Sequence, residues 1–165
     1  MAVLHRTLAL PLALILVVAP AAARDSVGVF ESWGAFRDAK VPRCYAIAMA
    51  QAAKPGDFQP YATVGQWPKR GLRNQVHFRL SRRTAPGSAI TLTVGERRFA
   101  LSGGGGNAWA ANRTVDAGIV AAMRSATRMR VSAVAADGRA FADAYPLAGA
   151  ASAIDAAALA CAPSR

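Results

Sequence analysis

The side chains of this chain that could do chemistry are mostly cations. Lys69, Arg70, Arg73, Arg79, Arg82 and Arg83 fall in a stretch with no acidic residue between Asp57 and Glu96, and Trp67 leads into it. An aromatic ring followed by guanidinium and ammonium groups suits stacking combined with contact to phosphate-type anions. Trp67, Lys69, Arg70, Arg73, Arg79, Arg82 and Arg83 are therefore candidate anion-binding residues. The alternative is a basic surface without a specific ligand, because arginine is spread along the whole sequence. Lys and Arg number 20 against 9 Asp and Glu, a net charge of +11.

Acid–base and nucleophilic chemistry finds little to work with. There are two histidines, His5 and His77, and any Ser-His-Asp or Cys-His arrangement beyond residue 23 would have to use His77. It stands between Gln75 and Arg79 with no nucleophile-elbow motif beside it, which reads as a surface histidine. The nine carboxylates are scattered. Asp57 and Asp137 fall in turn contexts, while Asp143, near Tyr145, and Asp155 read as surface or capping groups. A glycosidase pair would have to be assembled by the fold, so a hydrolase of an envelope polymer is the alternative to a non-enzymatic role. Gly103–Gly106 lacks the Lys-Ser/Thr of a phosphate-cradling loop. Cys44, Cys161 and His77 do not make a zinc-ligand set. No catalytic, cofactor or metal site is expected.

The chain opens with MAVLHRTLALPLALILVVAPAAA, a short polar start, an apolar run from Leu8 to Val18, and small residues before Arg24. This is the pattern of a secretory signal peptide cleaved near Ala23, and it is too short for a spanning helix. Residues 24–165 then form one domain, exported to the periplasm or outer surface, with no transmembrane segment. Export makes nucleic acid an unexpected partner and directs the basic stretch toward anionic lipid or lipopolysaccharide. An even cysteine count in an exported chain suggests a bridge between Cys44 and Cys161, with two free thiols or an intermolecular link as the alternatives.

The elements that must position these groups read as short strands between turns. Val29–Phe36, Cys44–Met49 and Tyr61–Trp67 are strand candidates, with a turn at Lys54-Pro55-Gly56-Asp57. In Asn74–Leu80, Val76, Phe78 and Leu80 face one side and Gln75, His77 and Arg79 the other. Ile90–Val94 and Arg98–Leu101 form a hairpin around Gly95-Glu96. Gly103–Gly106 reads as a flexible loop. Arg128–Ala135 and Ala140–Tyr145 pair around Asp137-Gly138. The period changes to helical over Thr114–Arg124, with Thr114 as cap and Asp116 in the first turn, and again over Ala148–Cys161. The expectation is mainly β: about eight strands and two short helices, one C-terminal, in an antiparallel β-sandwich or flattened barrel.

The order of several short pieces resembles the invasion-associated locus B family of exported alphaproteobacterial proteins. These are Ser32-Trp33-Gly34-Ala35-Phe36, Arg43-Cys44-Tyr45, Gly87-Ser88, Phe99-Ala100-Leu101 and Asn107-Ala108-Trp109-Ala110. The helix Asp116–Met123, the run Asp143–Gly149, and Ala153-Ile154-Asp155 leading to Ala160-Cys161 complete the series. Family members similar to this chain carry cysteine at the positions of Cys44 and Cys161, which agrees with a bridge. Gln66 and Trp67 stand where relatives tend to have His and Arg. The resemblance implies an envelope-associated protein, linked in some pathogens to host-cell entry, with no established reaction or cofactor.

Overall fold

Apolar and polar residues alternate with period two in many segments, and ten strands form among the described residues. The computed structural model describes residues 24–38, 40–51 and 56–163. The leader read at Met1–Ala23, and Lys54 and Pro55 of the expected turn, lie outside them. The strands are β1 (Asp25–Phe30), β2 (Trp33–Asp38), β3 (Arg43–Met49), β4 (Tyr61–Trp67), β5 (Leu72–Arg79), β6 (Ile90–Val94), β7 (Arg97–Gly104), β8 (Asn107–Ala110), β9 (Arg128–Val134) and β10 (Ala140–Pro146). The helices are α1 (Arg113–Met123) and α2 (Ala150–Ala160), and a single 3-10 turn, Pro68–Arg70, follows β4.

All strands pair antiparallel in one sheet of order β1-β2-β3-β4-β5-β8-β7-β6-β9-β10. The sheet curls back on itself. Gln51, just after β3, donates its N–H to Ala144 O of β10 at 2.8 Å, and the Trp33 indole Nε1 donates to Pro146 O at 2.9 Å. These contacts bring the ends together without a closed ladder. The fold is mainly β, a sandwich-like, flattened and unclosed barrel with two helices, one of them C-terminal.

Two strands exceed the number the alternation predicts, for separate reasons. The single strand expected at Val29–Phe36 is a hairpin, β1 and β2, because Glu31 takes a left-handed backbone (φ 50°) and reverses the chain. The loop expected at Gly103–Gly106 is half strand. Gly103 and Gly104 belong to β7, and only Gly105 and Gly106, both at positive φ, make the turn into β8. A Cβ at Gly103 would lie 2.2 Å from Asn107 O, so the close strand approach itself selects glycine there.

The inner face of the sheet forms the core with the two helices. α2 packs on β1–β4, where Ala35, Ala46 and Ala62 face a helix that buries Ala150, Ala153 and Ala157. Small residues on both sides let the helix backbone sit close to the sheet. α1 packs against β5–β8 and buries Ile119, Val120 and Met123. Its cap is Asn112 rather than Thr114, two residues earlier than expected: the Asn112 side chain accepts from Val115 N at 3.0 Å. A disulfide joins Cys44 of β3 to Cys161 at the end of α2, with Cα atoms 5.7 Å apart. Among the described residues no helix is long and apolar enough to cross a membrane.

Candidate functional site

The outward face of β3, β4, β5 and β8 carries the polar half of each alternating pattern. In register across it lie Tyr45, Gly65 and Gln75, and in the next row Ile47, Thr63, His77 and Trp109. A concavity of about 420 Å³ opens there, in the size range of small-ligand pockets. Gly65 makes its floor. A Cβ at Gly65 would stand 3.1 Å from Trp67 Nε1, so the indole folds back over the glycine. An irregularity in the β4–β5 ladder helps to aim it. Asn74 bulges with φ 57°, stitched to Gln66 by Asn74 N–H to Oε1 (3.1 Å) and Gln66 Nε2–H to Oδ1 (2.7 Å). Gln66 is thus structural, and Trp67 forms a wall.

Arg43 is the central cation. Its guanidinium carbon is 4.6 Å from the Tyr45 ring centroid and 5.3 Å from that of Trp67. Rings on two sides hold the guanidinium plane in place, and aromatic faces attract it. Arg43 Nε is buried without a hydrogen-bond acceptor among the described residues. Asp38 reaches it at 3.7 Å, an ion-pair distance too long for a hydrogen bond. Arg24 lines the same concavity. Trp109 is 39 % exposed and forms the opposite wall. The indole N–H groups of Trp67 and Trp109 and the hydroxyls of Tyr45 and Tyr61 have no hydrogen-bond partner among the described residues. Among the described residues no carboxylate lines the concavity.

His77 is half-buried on this face. Its ring lies 5.0 Å from that of Trp109 and 5.9 Å from that of Tyr61, and Nε2 is 3.1 Å from Asn107 Oδ1. Burial pushes its pKa down, the Asn107 bond pulls it up, and Arg79 and Arg43 lower it further.

The basic stretch does not come together as one patch, because β5 runs between its two halves. Leu72–Arg79 spans about 23 Å at the usual strand rise. At one end Trp67 joins the concavity and Arg70 folds over its ring at 4.9 Å, while Lys69 is exposed in the 3-10 turn. Arg73 turns toward a cleft beside Ala158 and Cys161. At the other end Arg79 and Arg83 pack on the Phe58 ring at 3.6 and 5.5 Å, and Arg82 pairs with Asp137 at 3.8 Å. Of the seven candidates, Trp67 belongs to the site and Arg70 borders it. The groups missed, Arg43, Tyr45, Tyr61 and Trp109, come from strands distant in sequence. Period-two alternation over 43–49 was the available signal, since it sets Arg43, Tyr45 and Ile47 on one face.

The buried acids serve the fold, contrary to the reading of Asp143 as a surface or capping group. Asp143 is 2 % exposed and its Oδ2 accepts from Ser81 N at 2.8 Å, tying β10 to the segment after β5. Tyr145 is 1 % exposed. Asp116 accepts from Val76 N at 2.8 Å, replacing an acceptor that β8 does not supply, since β8 pairs with β5 only at His77–Arg79. Burial raises the pKa of both acids against the pull of those N–H bonds. Asp155 is exposed and pairs with Arg124 at 2.6 Å.

These shifts set a pH dependence of stability. His77 titrates below its ordinary value when folded, so the stability it contributes is present above about pH 6.5 and is lost as pH falls through the depressed value. Asp116 and Asp143 act in the opposite sense. Their folded pKa lies above the ordinary 3.8, so the native state binds protons first and gains stability as pH falls through that window. The urea midpoint is expected to drop between about pH 7.5 and about pH 5.5, and to drop less in His77→Gln. Equal drops in both proteins would remove His77 as the cause.

No group of three His, Cys, Asp or Glu side chains that could hold a metal ion occurs among the described residues. The chain matches no known family profile, no curated protein and no solved structure.

Proposed function

We propose that this is a non-enzymatic protein of the cell envelope, exported to the periplasm or outer surface, whose β3-β4-β5-β8 face binds an anionic sugar head group such as that of lipopolysaccharide. One observation carries the reading: Arg43 is fixed between Tyr45 and Trp67 in a concavity that offers further aromatic rings, a second cation, Arg24, and free donors, and no carboxylate among the described residues. Aromatic faces suit the C–H faces of a sugar ring, and the cations suit its phosphate. The leader pattern and the resemblance to exported envelope proteins support the location. Cleavage after Ala23 would leave the new α-ammonium group on Arg24, at the edge of the same concavity.

Flotation of the protein with vesicles carrying lipopolysaccharide, anionic phospholipid or neutral phospholipid tests this. Lipopolysaccharide vesicles are expected to recover the most protein, with recovery falling as salt rises. Trp67→Ala and Arg43→Gln should each weaken binding by about tenfold or more, the size of a lost stacking or charge-assisted contact. Recovery that is equal on all three vesicles, or unchanged in both variants, would overturn the assignment.

A further inference from the structure

A second cationic face lies away from that concavity, on the outer side of β6, β7 and β9. Register places Thr93 opposite Arg130 on one side and opposite Arg98 on the other, while Thr91 faces Ser132. Arg128 and Arg130 follow each other on the same side of β9. Together these residues line an open groove of about 690 Å³, with no carboxylate and no aromatic ring among the described residues that line it.

The arginines here differ from most others in the molecule. Arg82, Arg124 and Arg139 pair with carboxylates, and Arg79, Arg83 and Arg97 lie on aromatic rings. Arg98, Arg128 and Arg130 are exposed and do neither among the described residues. Arg130 Nε donates to Ser132 Oγ at 3.1 Å, which holds the guanidinium along the strand with its outer N–H groups free. Strand geometry sets Arg128 about 7 Å from Arg130 and puts Arg98 two strands, about 10 Å, away at the backbone. Cations spread over a groove of this size, one of them held along its strand, suit a ligand carrying several anionic groups better than a single small one.

We propose that this groove binds a linear chain of phosphate groups. Tetrahedral phosphate oxygens can take bonds from guanidinium forks and from the hydroxyls of Thr91, Thr93 and Ser132 between them. The lack of any ring removes the stacking platform that bases or sugars use, so recognition runs through charge and hydrogen bonding alone. This site is independent of the sugar-binding reading above.

Titration calorimetry of the whole protein with linear polyphosphate, tripolyphosphate and orthophosphate is the test. Affinity is expected to rise steeply from orthophosphate to polyphosphate. The triple variant R98Q/R128Q/R130Q should lose about tenfold or more in polyphosphate affinity, with a shallower salt dependence. Its lipopolysaccharide binding and melting temperature should stay near those of the parent, while Trp67→Ala should leave polyphosphate binding unchanged. Replacing the three arginines by Lys should restore part of the affinity, since charge returns without the fork. Equal affinity of parent and triple variant, equal affinity for orthophosphate and polyphosphate, or a triple-variant defect seen only on anionic vesicles would each overturn the proposal, the last by making this face a membrane contact.

Discussion

Replacing Cys44 and Cys161 together by Ala is expected to cost about 4 to 5 kcal/mol of folding stability and to lower the melting temperature by roughly 10 to 20 °C. The bridge spans a sequence separation of 117 residues, and closing so long a loop restricts the unfolded chain strongly. Alanine suits the test because Cys44 is fully buried on the core face of β3 among small residues, so little packing is lost with the sulfur. Urea unfolding of the oxidised parent and of the double variant measures the difference, and a gap below about 1 kcal/mol would show that the bridge adds little. The effect should reach the concavity as well. Cys44 lies between Arg43 and Tyr45, so the bridge anchors α2 directly behind the strand that presents both. Without it, lipopolysaccharide binding should weaken even where the protein remains folded.

How far the sequence discloses this molecule depends on the range of the interaction concerned. The alternation in Asn74–Leu80 places Val76 and Phe78 inside and His77 and Arg79 outside, as the fold does, because one strand's pleat is a local property. The hairpin at Gly95-Glu96 and both helices are legible for the same reason. The β1–β2 reversal is not, since Glu31 lacks the glycine or asparagine that usually marks a left-handed turn. Asp143 reads as a surface or capping group until β10 curls in against the segment after β5 and buries it. The candidate site follows the same rule. Trp67 is conspicuous within its basic run and meets Arg70 from it, yet the central cation of the concavity is Arg43, 24 positions earlier, and the far wall, Trp109, is 42 positions later. The linear run of positive charge misleads because a strand separates its ends, whereas residues on neighbouring strands stand only about 5 Å apart.

The curl of the sheet hangs on one side chain more than on any ladder, and Trp33→Ala should show it. Trp33 is fully buried at the start of β2, and its Nε1–H bonds Pro146 O at the end of β10, 113 positions away. Next to it, Ser32 N reaches Ala148 O at 3.4 Å, and Gly149, at φ 84°, passes so close to Phe30 O that no side chain would fit there. Removing the indole empties this seam and leaves a carbonyl without its donor. The expected loss is about 3 to 5 kcal/mol for the cavity, with about 1 kcal/mol more for the hydrogen bond. Trp33→Phe keeps most of the ring volume and should lose roughly 1 to 2 kcal/mol, which separates packing from the bond. Hydrogen exchange locates the effect: protection should fall first at Ser32 and Gln51, the two amides that join the early strands to β10 and the segment after it, and only later in the β4–β5 ladder. Uniform loss of protection across the sheet would mean that Trp33 supports the core as a whole, and that the contact between early strands and β10 is not a seam of its own.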